Sequence, residues 1–321
     1  MSSTKSIKQR IKSVKNTSQI TKAMEVVSAT KMRKSQAWAL GARPYAVASL
    51  EMLKNLLART PPHSLSANSL LSFAQPTKSE GKNSALLVVT SDKGLAGAFN
   101  SNIIKKAENW IKEKKQSHAS YTLVTVGKKA HDYFERRKEP IQKSFWGFGD
   151  YSSLKDTLPV AKTIMEGFLY GTYDEAWGVY TNFRTTLVQD AVLKKILPVT
   201  KEGIEEAVAG ILPEHGRFAN QRESTRLISE NQLYNYEYKF EPSPAEILEA
   251  LVPQLIRMHV HHIILESNAS EHSARMVAMK NASDNAKDLI GNLTLEYNKS
   301  RQAGITRELT EITAGKEALE N

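Results

Sequence analysis

The sequence contains no cysteine, which excludes disulfide bonds, thiol redox switches and cysteine-ligated metal sites. It also lacks any run of about 18 apolar residues, so we expect no helix of the chain to span a bilayer. The first residues, MSSTKSIKQRIKSVKN, have no apolar segment of the kind found in secretory signals. They are basic and serine-rich like a transit peptide, but they run directly into a patterned helix, which argues against a cleaved presequence.

Acidic residues are almost missing from the N-terminal segment. Its first 34 residues contain a single acid, Glu25, against these basic residues: Lys5, Lys8, Arg10, Lys12, Lys15, Lys22, Lys31, Arg33 and Lys34. The whole chain of 321 residues carries a net charge of +10, which favours a polyanionic partner such as nucleic acid, anionic lipid or an acidic protein surface. Because the charge is concentrated, it predicts one basic surface on one element.

The N-terminal segment has the spacing of a long helix, predicted from residue 3 to about residue 58. Apolar residues recur in it at steps of three and four: Ile7, Ile11, Val14, Ile20, Met24 and Val27. Lys5, Lys8, Lys12, Lys15 and Lys22 form a parallel basic stripe. About 55 residues would give a rod of about 80 Å, which Gly41 and Pro44 are expected to bend or interrupt.

Residues 244 to about 314 form a second helical segment. Ser243 is its predicted N-cap, with Pro244 in the first helical position and Glu246 completing a capping box. Pro253 is expected to kink the helix. Its apolar spacing is sparse and partly filled by small residues: Leu289, Leu293, Ile305, Leu309 and Ile312, with Ala282, Ala286, Gly291, Ala303 and Gly304.

Residues 84 to about 200 alternate strand and helix, which is typical of βαβ units with a largely parallel sheet. The predicted strands are SALLVVTS, YTLVTVG and AWGVYTNF, with a further strand, at an edge, in TTLVQDAVLKKILPV. The predicted helices are SNIIKKAENWIKEKK, KKAHDYFERRK and LKDTLPVAKTIMEGFLYG.

We therefore predict an α/β protein in which the N- and C-terminal helices form a long antiparallel two-helix coiled coil beside a central Rossmann-like α/β domain. Neither helix is apolar enough to be stable alone, so the pair is expected to need a surrounding partner protein. The predicted segments are residues 1–59 (N-terminal helix), 60–83 (linker), 84–241 (central domain, with an insertion at about 201–231) and 242–321 (C-terminal helix).

The loop SDKGLAGAFN follows the first strand as a phosphate-binding loop would. It has only Gly94 and Gly97 and matches neither nucleotide-binding fingerprint. The competing interpretation is a tight strand-to-helix turn with Asn100 or Ser101 as the helix N-cap, and it is the one we favour.

Two further patterns suggest other functions. His259 and His262 share a helical face with Glu266, a spacing that a metal site can use, but no H-E-x-x-H motif or second ligand cluster accompanies them.

The basic stripe suggests a DNA-binding arm or a membrane-surface helix. A bZIP arm would continue into a leucine zipper, and a surface helix would carry bulky apolar residues opposite the lysines; neither pattern is present.

Several long motifs resemble the γ subunits of F-type ATP synthases: IKQRIKSVKNTSQITKAMEVVSATKMRKSQ, ARPY, SDKGLAGAFN and SEHSARMVAMKNASDNAKDLI with LTLEYNKSRQAGITRELTEI. The resemblance covers both ends and the central domain. It implies a rotating shaft inside a ring of three α and three β subunits, turned by the c-ring of Fo, with no active site and no cofactor or metal of its own. It also implies one copy per complex, contact with the ε subunit, no nucleic acid, and a peripheral position on the cytoplasmic face of a bacterial inner membrane.

The resemblance assigns roles to particular residues. Lys22, Lys31, Arg33 and Lys34 would face an acidic C-terminal lever of the β subunit, and Met24 matches a family position near that lever. The residues that match polar contacts to a loop of β are Arg301, Gln302, Thr306 and Glu308. The predicted foot toward ε and the c-ring contains Tyr236, Tyr238 and Phe240.

The chain departs from the family's simpler members in the linker and at 201–231. Photosynthetic relatives carry a regulatory cysteine pair near the second insertion, and this chain has none. Two other classes of function remain open: a nucleotide-binding α/β enzyme, which would bind or turn over ATP alone, and a basic coiled-coil nucleic-acid-binding protein, which would shift DNA in a salt-dependent way.

Overall fold

A computed structural model describes residues 4–41, 52, 83–148, 152–186, 188–199, 241 and 243–320. In chain order the elements are α1 (Thr4–Gly41), β1 (Ser84–Val89), α2 (Phe99–Gln116), β2 (Tyr121–Val126), α3 (Lys128–Arg136), β3 (Ile141–Phe145), α4 (Leu154–Leu169), β4 (Glu175–Phe183), β5 (Gln189–Leu197) and α5 (Pro244–Glu320). Within these ranges, no helix is both long enough and apolar enough to cross a bilayer.

The chain divides into two compact units. The first, the helix-pair unit, combines Met1–Ser28 with Arg275–Asn321, and the second, the α/β unit, comprises Ala29–Ala274. The first unit therefore takes its two segments from opposite ends of the sequence, as expected for paired terminal helices. The linker, the 201–231 insertion and the continuation of the N-terminal helix toward residue 58 lie outside the described residues, apart from residues 52 and 83.

The α/β unit is built on a five-stranded sheet in the order β3-β2-β1-β4-β5. The first four strands in that order are parallel, and β5 pairs antiparallel with β4. Strand β1 (SALLVV) lies at the centre and is buried along its whole length. A continuous apolar run of this kind is typical of a parallel strand covered on both faces.

Side chains that alternate along β1 enter two separate cores. Leu86 and Val88 pack with residues of α2 and α3, including Ile103, Trp110 and Phe134. Leu87 and Val89 face the other way and pack with residues of α4 and of the N-terminal half of α5, which supply Ile164, Val252, Ile256, Val260 and Ile263. The sheet is thus covered on both faces, and α5 is part of the core of this unit before it continues beyond it.

The structure confirms the predicted edge strand β5 but contains a strand, β3, that the sequence pattern did not predict. Strand β3 has only five residues, of which Gln142 and Lys143 are exposed. It shows neither regular alternation nor a buried run, and its position depends on parallel pairing with β2. Ser243 is confirmed as the N-cap of α5, because its hydroxyl accepts from the Glu246 N–H at 3.3 Å. The hydroxyl also donates to Glu246 Oε1 at 2.8 Å, while the full capping box stays a prediction. The helix continues across Pro253.

A partly buried ion-pair cluster lies where β1 and β4 begin. Glu175 Oε1 accepts hydrogen bonds of 2.7 Å from Lys114 Nζ and of 2.7 Å from the Ser84 hydroxyl, and Lys195 Nζ lies 3.7 Å from Oε2. Burial acts to raise the pKa of this carboxyl, but the bonds from Lys114 and Ser84 outweigh it and lower the pKa to about 2. The ionised form of Glu175 is therefore favoured in the folded state.

We expect this cluster to make stability depend on pH. Because the folded pKa lies below the ordinary value of 4.5, the contribution is complete above about pH 4.5 and is lost as the pH falls toward 2. The shift corresponds to roughly 3 kcal/mol at neutral pH. Denaturant unfolding of the isolated chain should show a Glu175→Gln variant less stable at pH 7, with the deficit shrinking between pH 4.5 and 2. The exposed Glu113→Gln is the control; a deficit for Glu175→Gln that did not change with pH would contradict the assignment.

In the helix-pair unit, buried and half-buried residues of α1 recur at steps of four and three, the spacing of a coiled-coil seam. The seam residues in this unit are Ile7, Ile11, Val14, Ser18, Thr21, Glu25 and Ser28. On α5 the same spacing runs through Met279, Ser283, Ala286, Ile290, Leu293, Tyr297 and Ser300. The residues of α1 up to 28 and those of α5 from 275 onward belong to one compact unit, as expected for paired terminal helices.

The composition of the seam corrects the prediction in its details. Ile20 is 61% exposed and Val27 is 52% exposed, so neither belongs to the seam, and Met24 flanks it half-buried. Counting steps of four and three from Ile7 reaches Ser18, Thr21 and Ser28 instead. On α5, Ile290 takes the place that was predicted for Leu289, and the predicted seam residues Ile305, Leu309 and Ile312 are exposed.

Candidate partner-binding surfaces on the terminal helices

Beyond Val14, the part of α1 in the helix-pair unit directs its larger apolar side chains away from its seam. Ile20, Val26 and Val27 are each more than half exposed, while small polar residues, Thr21 and Ser28, are buried. Leaving this much apolar surface in water is unfavourable at roughly 25 cal/mol per Å². A helix that turns its apolar residues outward and its small residues inward has the pattern expected when a second protein covers its outer face.

Another part of the exposed surface of α1 is basic. Lys8, Lys12 and Lys15 are exposed beside the seam, as the predicted stripe requires. Lys22 forms an ion pair of 2.9 Å with Glu25, and the Glu25 side chain is only 17% exposed. The single acid of this segment is therefore largely covered and already paired, so the exposed charge of α1 is positive and suits an acidic partner surface.

The last turns of α5 form a second candidate surface. Every residue from 301 to 316 is exposed. Ile305, Leu309 and Ile312 are spaced by four and three, so they form one apolar stripe along the helix. At about 100° per residue, Arg301 and Glu308 flank one side of this stripe and Gln302 flanks the other. An apolar stripe with a polar rim is the usual anatomy of a protein interface.

The predicted contact residues fall on both units. Lys22 and Met24 lie in the helix-pair unit, where Met24 is half-buried, and so do Arg301, Gln302, Thr306 and Glu308, which are all exposed. The Thr306 hydroxyl donates to the Gln302 carbonyl at 3.0 Å, so it is committed to its own helix. Lys31, Arg33 and Lys34 lie in the α/β unit; Arg33 and Lys34 are exposed, whereas Lys31 is half-buried. Tyr236, Tyr238 and Phe240 lie outside the described residues.

The loop after β1 is occupied by contacts within the chain. Asp92 accepts hydrogen bonds from the backbone N–H of Lys128 at 3.0 Å and of Gly147 at 2.8 Å. The Thr90 hydroxyl accepts from the backbone N–H of Ala130 at 2.9 Å. Residues of this loop thus satisfy N–H groups at the start of α3, where an anionic ligand would otherwise bind.

The same loop corrects the predicted N-cap of α2. This helix begins at Phe99 with Ala98 as its cap, and no side chain caps it. Asn100 instead turns back, and its side-chain oxygen accepts from the Ser91 N–H at 3.0 Å. The contact between Asn100 and Ser91 closes a turn between β1 and α2, as the tight-turn interpretation requires, although the capping residues were wrongly assigned.

The histidines of α5 are directed to different neighbours. His262 Nε2 lies 3.1 Å from Glu266 Oε1, whereas His261 Nδ1 lies 3.0 Å from the Thr157 hydroxyl. Burial holds the pKa of His259 well below its ordinary value, and repulsion from His262 and Lys194 acts in the same direction. In the part of the chain that the structure describes, no three potential metal-ligating side chains come together, so the spacing of His259, His262 and Glu266 does not assemble a metal centre there.

Comparisons with known proteins give a consistent result over the whole chain. A family described as ATP synthase matches residues 3–319. The ATP synthase gamma chain of Roseiflexus castenholzii is 39% identical over 319 residues, covering 99% of both chains. That of Geobacter metallireducens is 40% identical over 319 residues, also covering 99% of both.

Solved structures match in fold. The chain is similar to one in the Euglena gracilis mitochondrial ATP synthase OSCP/F1/c-ring structure, with a TM-score of 0.60, 18% identity, and coverage of 98% of this chain and 94% of that one. A chain of the Tetrahymena thermophila mitochondrial ATP synthase central stalk/c-ring gives a TM-score of 0.55 at 22% identity, covering 82% and 99%. The family match over residues 3–319 and relatives of about 39% identity along the full length show that the chain belongs to the ATP synthase gamma chain family.

Proposed function

We propose that this chain is the central-stalk rotor of a proton-translocating F1Fo ATP synthase. In this function the c-ring turns the chain, and the helix pair drives each catalytic β subunit of an α3β3 ring in turn through different nucleotide states, in synthesis or in hydrolysis. The chemistry belongs to the ring, so the rotor needs neither a catalytic group nor a cofactor.

One observation carries this proposal beyond family membership. The seam of the helix pair includes small and polar residues such as Thr21, Ser28 and Ser283, and the pair places basic and apolar side chains on its outside. A protein that turns inside a sleeve needs exposed surfaces that a partner covers without binding them tightly. Isolated exposed ion pairs contribute only about 0–1 kcal/mol each, which is weak enough to be exchanged as the shaft turns.

The proposed assembly contains one copy of this chain with an α3β3 ring, an ε subunit and the c-ring, on the cytoplasmic face of a bacterial inner membrane. Membership of the gamma chain family supports the complex itself. The foot assigned to Tyr236, Tyr238 and Phe240 remains a prediction, as do the domain boundaries.

Co-purification tests this assignment. A tagged chain isolated from membranes in mild detergent should bring down α, β, ε and c subunits in fixed proportion. Recovery of nucleic acid without these subunits would favour the basic coiled-coil alternative. ATP turnover by the purified chain alone would favour the enzyme alternative.

The basic residues of α1 in the α/β unit give a sharper test. We expect Arg33→Glu with Lys34→Glu to weaken assembly with α3β3 or the coupling of proton flow to ATP synthesis, because the new charges would repel an acidic lever of β. The corresponding alanine pair should be mild, since single exposed pairs are weak. Lys31 is left unchanged because it is half-buried. The measurements are the amount of assembled complex and ATP synthesis in inverted membrane vesicles.

A matched control exists on α2. Lys105 and Lys106 are also adjacent, exposed basic residues on a helix, and replacing both with glutamate lowers the net charge by the same four units. This variant should assemble and synthesise ATP normally. Equal behaviour of the two glutamate pairs would mean that only net charge matters and that Arg33 and Lys34 face no acidic surface.

A further inference from the structure

The inference concerns how α5 is fixed within the α/β unit, and it rests on the proposed rotor function. A rotor must pass torque between its α/β unit and α5, which runs continuously from Pro244 to Glu320. The apolar contacts of α5 in this unit, such as those of Val260 and Ile263, are non-directional. They hold the helix on the sheet, whereas hydrogen bonds to defined atoms restrict its angle about its own axis more sharply.

Hydrogen bonds join one side of α5 to α4 and to Ser152, which precedes α4. His261 Nδ1 lies 3.0 Å from the hydroxyl of Thr157 on α4, and Asn268 Nδ2 donates to Ser152 Oγ at 3.3 Å. The Thr157 hydroxyl is also 3.0 Å from the Leu154 carbonyl, to which it donates. His261 is therefore the donor in its contact with Thr157, through a proton on Nδ1.

A second set of contacts reaches α5 from the β4–β5 hairpin. The Ser273 hydroxyl donates to the Thr186 carbonyl at 2.8 Å, and the Ser270 hydroxyl donates to the Thr181 carbonyl at 3.3 Å. Both serines are fully buried. The same Thr186 carbonyl also accepts from Gln189 Nε2 at 3.1 Å, so the acceptor is held in place by its own hairpin.

These two sets act on opposite flanks of the helix. His261 and Asn268 are seven residues apart and share one face, while Ser270 and Ser273 are three residues apart and share another. The nine residues from His261 to Ser270 make about two and a half turns, which places the two faces on opposite sides of α5. Hydrogen bonds depend steeply on direction, so bonds on opposite flanks resist rotation of the helix in either sense.

We infer that His261 and Asn268 on one flank and Ser270 and Ser273 on the other form a torsional clamp, which fixes α5 against rotation about its own axis within the α/β unit. They are positioning residues for torque transfer. The clamp lies at the C-terminal end of the stretch of α5 that belongs to this unit, which ends at Ala274. A twist applied to the rest of α5 reaches the clamp through the helix backbone.

The test is torsional stiffness in the assembled complex. A probe is attached to the α/β unit, the α3β3 ring is immobilised, and the complex is stalled with a non-hydrolysable nucleotide. The variance of the probe angle then reports stiffness. We expect Ser270→Ala with Ser273→Ala, and separately Thr157→Val, to lose stiffness relative to wild type. The variant that combines all three substitutions should lose more stiffness, because the two flanks act independently. Ser273→Thr keeps a hydroxyl and should restore part of it.

Two matched controls lie beside the clamp. Ser267 on α5 is fully buried, and its hydroxyl has no hydrogen-bond partner in the structure, so Ser267→Ala removes a buried hydroxyl without removing a clamp bond. Thr163 on α4 donates only to the Pro159 carbonyl of its own helix, at 2.9 Å, so Thr163→Val controls for Thr157→Val. Angular variances equal to those of the controls would overturn the clamp.

Two further measurements cover a variant that does not assemble and a complex that does not rotate. If the double serine variant does not assemble, Ser273→Ala alone is measured. It leaves the Thr186 carbonyl bonded to Gln189, so no buried acceptor loses its last partner and the variant should fold. ATP-driven rotation of the wild type is recorded first. Its absence would count against the rotor function itself, whereas rotation with unchanged variance in the variants would count against the clamp alone.

Discussion

Replacing Ile305, Leu309 and Ile312 with glutamine is expected to abolish stable binding of the chain to an α3β3 ring. All three side chains are exposed and form one stripe on a part of α5 where every residue from 301 to 316 is exposed. Burying side chains of this size contributes about 1.5–3 kcal/mol each, so losing all three would weaken binding by several orders of magnitude. Glutamine is chosen because it preserves helix propensity and adds no charge.

Binding to purified α3β3 is the measurement, with far-UV circular dichroism to confirm that α5 remains helical. Leu154 and Leu169 on α4 are also exposed, at 40% and 45%, and replacing both with glutamine is the control. It should leave binding to α3β3 intact. If the stripe variant bound the ring as tightly as this control, the end of α5 would not be a partner surface.

Gly127→Ala is expected to destabilise the α/β unit by more than about 4 kcal/mol, in the range reserved for severe core defects. Gly127 has φ +92°, and a Cβ placed on it would lie 2.1 Å from the Thr90 carbonyl oxygen. Thr90 has little freedom to move aside. Its N–H donates to the Val126 carbonyl at 2.8 Å, and its hydroxyl accepts from the Ala130 N–H at 2.9 Å. Both the conformation and the close approach therefore require glycine.

Denaturant unfolding of the isolated chain measures this cost, and a second glycine separates its two causes. Gly171 also has positive φ, +71°, but nothing lies within 4 Å of the position that a Cβ would take there. Gly171→Ala should therefore show only the conformational cost, about 1–2 kcal/mol. Similar losses at Gly127 and Gly171 would show that the contact with Thr90 contributes nothing.

The sheet was predictable because a strand that is buried on both faces has a continuous apolar sequence. Strand β1 is a continuous apolar run, and β5 lies at the predicted edge. The sequence pattern therefore predicted the order of strands and helices along the chain, apart from β3. Strand β3 was missed because it is short and half-exposed, and only its pairing with β2 defines it.

The helix pair was predictable in kind but not in detail. Apolar spacing shows which residues share a face, but not which face another segment of the same chain covers. On α1 the larger residues Ile20 and Val27 were assigned to the seam, whereas Thr21 and Ser28 occupy it. A strict count of four and three from Ile7 would have found the true seam. Nothing in the sequence marks the contacts of Ser270 and Ser273, because their acceptors are backbone carbonyls far away along the chain.

ATP-driven rotation is the most direct test of the central claim. The chain is assembled with α3β3, the ring is fixed to a surface, and a probe is attached to the α/β unit. We expect the probe to turn in one direction when ATP is added, and we expect the variant with glutamine at Ile305, Leu309 and Ile312 to give no rotating complexes. Full ATP hydrolysis by the assembled complex while the probe remains stationary would contradict it.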